Sequence, residues 1–171
     1  MSAEASPLLI LGIGNVLLGD EGFGVHVVEQ LRLNPGSLPA GARLVDGGTL
    51  GIELLPLIED AAALVMVDAV ELGEAAGTLR CIEGDAIAGC FGGNLSAHQA
   101  GAADLIAVAR LTGALPPRIA LVGVQPESFG FSLELSPAVR AALPSAIEAV
   151  TRLARALTAD ACHACGGPSA L

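Results

Sequence analysis

A chain of 171 residues with 53% hydrophobic and 15% charged positions has the length of one domain and too much apolar side chain for intrinsic disorder. Eight arginines, no lysine and 18 acidic residues set the formal charge at −10, which excludes the basic footprint of a nucleic-acid binder and disfavours an anionic membrane surface. The mean hydropathy of +0.66 raises the question of a membrane protein, but the longest apolar runs, such as residues 61–67, fall well short of the ~20 residues that a span needs.

Residues 1–7 carry no Arg or Lys ahead of the first apolar stretch, unlike a secretory or twin-arginine signal, and four cysteines at this size make no disulfide scaffold. A cytoplasmic location with mostly reduced thiols is expected. The first strand is expected over residues 8–13, apolar on both faces as a central parallel strand is. A helix follows over 22–33, where Val25, Val28 and Leu31 recur at helical spacing and Asn34-Pro35-Gly36 ends it. A second strand at 42–45, a short helix at 51–58 and the most apolar strand, 63–67, come next. The gap to a fourth strand at 78–82 is too short for a crossover helix, which predicts that this strand runs antiparallel to the third. Residues 83–95 show no clear period. A helix over 97–112 opens with Ser96 and Gln99 spaced as a capping box, and a fifth strand spans 118–124. The last helix covers 137–157, with Ser136 suited to its N-cap, Pro137 at its first position and Pro144 expected to kink or restart it. The alternation predicts an α/β three-layer sandwich: a twisted, mostly parallel five-stranded sheet with helices on both faces, forming a single domain over 1–157 with a flexible tail over 158–171.

Open α/β sheets bind ligands beyond the carboxyl ends of their parallel strands. The polar residues expected there are Asp20 and Glu21 after the first strand, Asp46 after the second and Asp68 after the third, and the irregular segment after the fourth brings His98 back toward the same edge. Carboxylates and an imidazole together form an O, O, N donor set suited to a borderline divalent ion such as Ni²⁺, Zn²⁺, Mn²⁺ or Fe²⁺, with coordination positions left open for another molecule. Simpler roles compete. Asp20 suits a helix N-cap, Glu21 the positive end of a helix dipole, and Asp46 a turn in which it bonds its own backbone. Asp68 follows a buried apolar strand, where an unpartnered carboxylate costs several kcal/mol, so a partner is expected.

Other motifs fail in detail. The dinucleotide fingerprint G-x-G-x-x-G needs Gly at position 17, which is Leu, and neither a Walker A lysine nor a G-x-S-x-G elbow is present. Cys162-His163-Ala164-Cys165 in the tail has the C-x-x-C spacing of a metal or redox site but stands alone, outside any βαβ unit.

Leu11-Gly12-Ile13-Gly14-Asn15-Val16-Leu17-Leu18-Gly19-Asp20-Glu21-Gly22-Phe23-Gly24 resembles the opening motif of the hydrogenase maturation endopeptidases. Asp46-Gly47-Gly48-Thr49, Asp68-Ala69, Ser96-Ala97-His98-Gln99 and Val122-Gly123-Val124-Gln125-Pro126-Glu127-Ser128 match the same family in order, so the resemblance covers residues 8–157 and leaves out the Cys-His-Ala-Cys tail. It implies a twisted sheet flanked by helices and an endopeptidase, classed with the aspartic type, that cuts a C-terminal extension from the large-subunit precursor of a [NiFe]-hydrogenase. The cut follows insertion of the NiFe(CN)₂CO centre, and Ni²⁺ held by the precursor is the recognition signal. The family's metal-binding residues map onto Glu21, Asp68 and His98, and its second-strand acid onto Asp46, as general base or as an orienting group. Glu at position 21, where the family often has Asp, implies the subgroup that serves uptake-type hydrogenases.

The expected partner is therefore the precursor, in a transient 1:1 complex with a monomer, without nucleic acid or membrane. No Ser-His-Asp order and no cysteine near His98 suggests covalent catalysis. A precursor-binding chaperone of the same fold without peptidase activity is the alternative, and a nucleotide-binding module, resting only on the Gly-rich first turn, is a third.

Overall fold

The computed structural model describes residues 8–91 and 99–159. The expected cap at Ser96, His98, and the tail with Cys162 and Cys165 lie outside the described residues. β1 (Leu8–Ile13), β3 (Ala63–Ala69) and β5 (Arg118–Val124) are apolar on both faces and buried almost throughout. They form the middle of a five-stranded sheet of order β2-β1-β3-β5-β4, with the half-exposed β2 (Ala42–Gly48) and β4 (Leu79–Glu83) at the edges. β2, β1, β3 and β5 run parallel, and β4 is antiparallel to β5.

Helices cover both faces, so the expected three-layer architecture is the observed one. On one face, α1 (Phe23–Leu33) and α5 (Pro137–Ala159) bury Phe23, Val28, Leu31, Val150 and Leu153 against Leu8, Ile10, Val65 and Val122. On the other, α2 (Leu55–Glu59), α3 (Ala86–Cys90) and α4 (Gln99–Thr112) bury Ile58, Ile87 and Leu105 against Leu9, Leu11, Met66 and Leu121. The alternation of β1 side chains between the two clusters is the two-residue period of a strand buried on both sides.

β4 runs antiparallel to β3 as expected, but it pairs with β5, which lies between them. β5 is apolar on both faces and needs two covered sides, whereas β4 carries Arg80, Cys81 and Glu83 and tolerates an edge. The segment after β4 is not wholly irregular, since α3 forms there and buries Ile87. α5 runs unbroken through Pro144, which faces solvent, while Ala142 and Ala146 hold the helix to the core on either side. Ser136 does cap α5: its Oγ accepts the Val139 N–H at 3.4 Å, ahead of Pro137.

Candidate functional site

The carboxyl ends of β1, β2 and β3 form one edge of the sheet, and the local sequence brings acidic side chains to it. After β1 the chain turns through Gly14, at φ +133°, where a Cβ would run into the Glu21 carbonyl. A 3-10 turn, Gly19–Gly22, then leads into α1. At Gly24 a Cβ would strike the Val67 carbonyl and the Ile13 backbone, so only glycine lets the start of α1 sit directly on β1 and β3. This close approach carries Glu21 over the end of β3, where Asp68 lies.

Glu21 and Asp68 are both 4% exposed. Burial pushes the Asp68 carboxyl well above the usual carboxylate range. The Ala69 N–H, donated to Asp68 Oδ1 at 2.8 Å, partly opposes that push, and the charge of Glu21 adds to it. Two buried carboxylates that repel one another call for a proton between them or a cation. Their oxygens suit a divalent ion, which would relieve both desolvation and repulsion. Among the described residues, no group of three His, Cys, Asp and Glu side chains forms a metal cluster, and the third expected donor, His98, lies outside them.

Asp46 stands apart from this pair. Gly12 of β1 is paired with Asp46 on one side and with Val67 on the other. The Asp46 backbone is therefore two strand spacings, about 10 Å, from the end of β3. Its side chain is exposed, and Oδ1 accepts the Gly48 N–H at 2.9 Å, the backbone-bonding turn expected from Asp-Gly-Gly. It lines an open pocket of about 360 Å³ together with Gly14, Val16, Leu17 and Thr49.

Asp20 is not an N-cap. It is 1% exposed, and its carboxylate accepts three backbone N–H groups from the segment between β5 and α5: Glu127 at 2.8 Å and Ser128 at 3.4 Å on Oδ2, and Ser136 at 2.7 Å on Oδ1. Gln125 holds the neighbouring connection. Its Oε1 accepts the N–H groups of Leu72 and Glu74, and its Nε2 donates to Glu71 and to the Pro126 carbonyl. Both roles escaped the sequence reading. The available signal was a buried-strand sequence that ends in an isolated amide at Gln125, in a chain with few polar residues to spare.

The charge distribution is lopsided. Arg43 and Arg118 begin their strands, and Arg155 donates to the Ser37 carbonyl, all at the amino-terminal edge of the sheet. At the carboxyl edge Arg80 and Arg140 are each paired, with Glu74 and Glu134, whereas Asp46 and Glu127 have no arginine partner among the described residues.

The fold and the sequence agree with those of known proteins. The hydrogenase maturation protease family (HycI) matches residues 25–153, a span that contains Asp46 and Asp68 and begins just after Glu21. The chain is 46% identical over 153 residues to the hydrogenase expression/formation protein HupD of Rhodobacter capsulatus, covering 87% of this chain and 71% of that one. It is 39% identical over 144 residues to the hydrogenase 2 maturation protease of Escherichia coli, covering 84% and 87%. The solved structure of the hydrogenase maturating endopeptidase HybD from E. coli superposes with a TM-score of 0.76 at 38% identity, over 84% of this chain and 88% of that one. With the same parallel sheet and sequence agreement over most of both chains, the protein belongs to the hydrogenase maturation protease family.

Proposed function

We propose that this protein is the endopeptidase that removes the C-terminal extension of a [NiFe]-hydrogenase large-subunit precursor after nickel insertion, with the precursor's nickel as recognition element. The observation that carries the reading is the buried Glu21–Asp68 pair at the carboxyl edge of the sheet: two carboxylates side by side, an oxygen donor set suited to a cation on the substrate. Glu21, Asp68 and His98 are assigned as the ligands offered to that nickel. A precursor without metal brings no charge to relieve the repulsion and docks poorly, so specificity comes from the metal. Ligation then holds the peptide in place, a proximity effect.

Asp46 is assigned as the carboxylate base, which accords with an aspartic-type peptidase. With Oδ1 held by Gly48, its other oxygen is left to take a proton from the attacking water. An extended chain covers the separation of about 10 Å between Asp46 and the end of β3 in about three residues, so the scissile bond lies close to the metal-held residue along the substrate. We assign the protein to the cytoplasm as a monomer. Among the described residues, no helix is long and apolar enough to cross a membrane.

The test mixes the purified chain with nickel-loaded and nickel-free precursor and reads product masses. A single C-terminal cut in the loaded sample alone is expected, and cutting of both samples alike removes nickel recognition. Glu21→Gln, Asp68→Asn and His98→Ala should each lower trimming at least about 100-fold, about 2.7 kcal/mol of transition-state stabilisation, in a folded protein. Normal trimming by all three refutes the ligand assignment. Asp46→Asn should abolish the cut yet retain the precursor, and a wild type that binds without cutting is the chaperone instead.

A further inference from the structure

Four large apolar side chains are exposed on two adjoining segments beside the site. Val16, Leu17, Phe131 and Leu133 are 38%, 47%, 83% and 67% exposed. They come from two segments joined by a parallel bridge, in which the Ser132 N–H donates to the Leu17 carbonyl at 3.0 Å and the Gly19 N–H to the Ser132 carbonyl at 2.7 Å. The three N–H groups on Asp20, and Ser132 Oγ bonded to the Glu134 backbone, fix the second segment further. The exposure is thus a property of a tied backbone, and a partner that covers the strip spends little on ordering it. Val16 and Leu17 also line the Asp46 pocket, and Phe131 lines a second pocket of about 350 Å³. The strip is continuous with the place where the peptide is to be cut.

Charge decides what lies on it. Asp46 lines the same pocket as Val16 and Leu17, and the exposed Glu127 directly precedes Ser128, which lines the same pocket as Phe131. Neither acid has an arginine partner among the described residues, Arg140 is taken by Glu134, and the chain carries −10. A second copy of this chain or an acidic segment is repelled, and a basic residue gains an attraction at the exposed Glu127 that a neutral one lacks. We infer that the strip seats an extended apolar segment of the precursor that bears a lysine or arginine opposite Glu127, an inference that rests on the endopeptidase function proposed above.

The experiment uses the full chain and nickel-loaded precursor, with kcat and KM from product masses and precursor binding measured separately. The double variant F131S/L133S should raise KM at least about tenfold with kcat within about twofold, at an unchanged Tm, because the strip holds substrate without touching the reacting atoms. Glu127→Gln should raise KM about two- to fivefold at low salt, with the difference gone near 0.5 M salt. A wild type that trims, beside a double variant of unchanged KM, overturns the strip and leaves the endopeptidase standing. A wild type that neither binds nor trims the loaded precursor overturns both. A wild-type dimer that F131S/L133S dissolves makes the strip a self-interface and also overturns the inference.

Discussion

Asp68 carries a conflict that a single substitution exposes. Buried beside Glu21, its carboxyl titrates well above the ordinary aspartate value of 3.8, which it regains when the chain unfolds. Between those two values the folded state holds more protons than the unfolded state, so stability falls as pH rises from 3.8 through the folded value and stays lowered beyond it. Asp68→Asn removes the titration and keeps an oxygen for the Ala69 N–H. In metal-free buffer the variant should therefore melt several degrees above wild type at pH 7, with the gap closing as the pH approaches 3.8; a gain of about 1 kcal/mol corresponds to roughly 2–4 °C here. Circular-dichroism melts read this directly, and a wild type as stable as the variant at pH 7 removes the strain. Asp68 was legible in the sequence because a carboxylate that ends an all-apolar strand has few bland explanations. Local pattern alone did not separate Asp20 from Glu21, which only the family resemblance singled out: adjacent acids in one turn look alike, and the fold shows that one faces the β5–α5 segment and the other the end of β3.

At the scale of elements, the sequence pattern located all five strands, because three are apolar on both faces and two are bounded by turn residues. Sheet order was harder. A short β3–β4 connection suggests neighbours, yet it arches over the end of β5, where the Gln125 side chain, the N–H groups of Val70 and Gly77 and the Thr78 carbonyl, which accepts the Gln125 N–H, hold it, and no local period encodes such a long-range tie. α3 was missed because five residues, one of them Gly89, give no helical period. Asp20 is the comparable tie for the segment before α5, and it can be tested. Each N–H given to a buried charged carboxylate is worth about 1.5–3 kcal/mol, so Asp20→Ala leaves three donors without their acceptor. The expected outcome is a Tm drop together with faster hydrogen exchange confined to 127–136 and the 3-10 turn, while the β1 and β3 amides stay protected. Asp20→Asn, which keeps an acceptor oxygen, should recover part of the protection. Uniformly faster exchange throughout the sheet would show instead that Asp20 supports the whole fold.

For the whole molecule the decisive quantity is the charge of −10 set against the ion pairs among the described residues, Arg32–Glu29, Arg80–Glu74, Arg110–Asp85 and Arg140–Glu134, all at least partly exposed. Exposed pairs contribute at most about 1 kcal/mol each and often nothing, whereas the unbalanced acids repel one another over the whole surface. Added NaCl should therefore raise the Tm, with most of the rise complete once the Debye length falls from about 10 Å at 0.1 M toward 3 Å at 1 M. A falling Tm would mean that the pairs outweigh the repulsion. Divalent ions add a second term that screening does not supply. At constant ionic strength, Ni²⁺ or Zn²⁺ that occupies the Glu21–Asp68 pair stabilises the folded chain by mass action, about 2.7 kcal/mol at a concentration 100 times Kd. That increment should be present in the wild type and absent from the double variant Glu21→Gln/Asp68→Asn, which retains the NaCl response. An equal divalent increment in both proteins would place the ion elsewhere on the acidic surface and would take from the buried pair the cation on which the proposed nickel recognition depends.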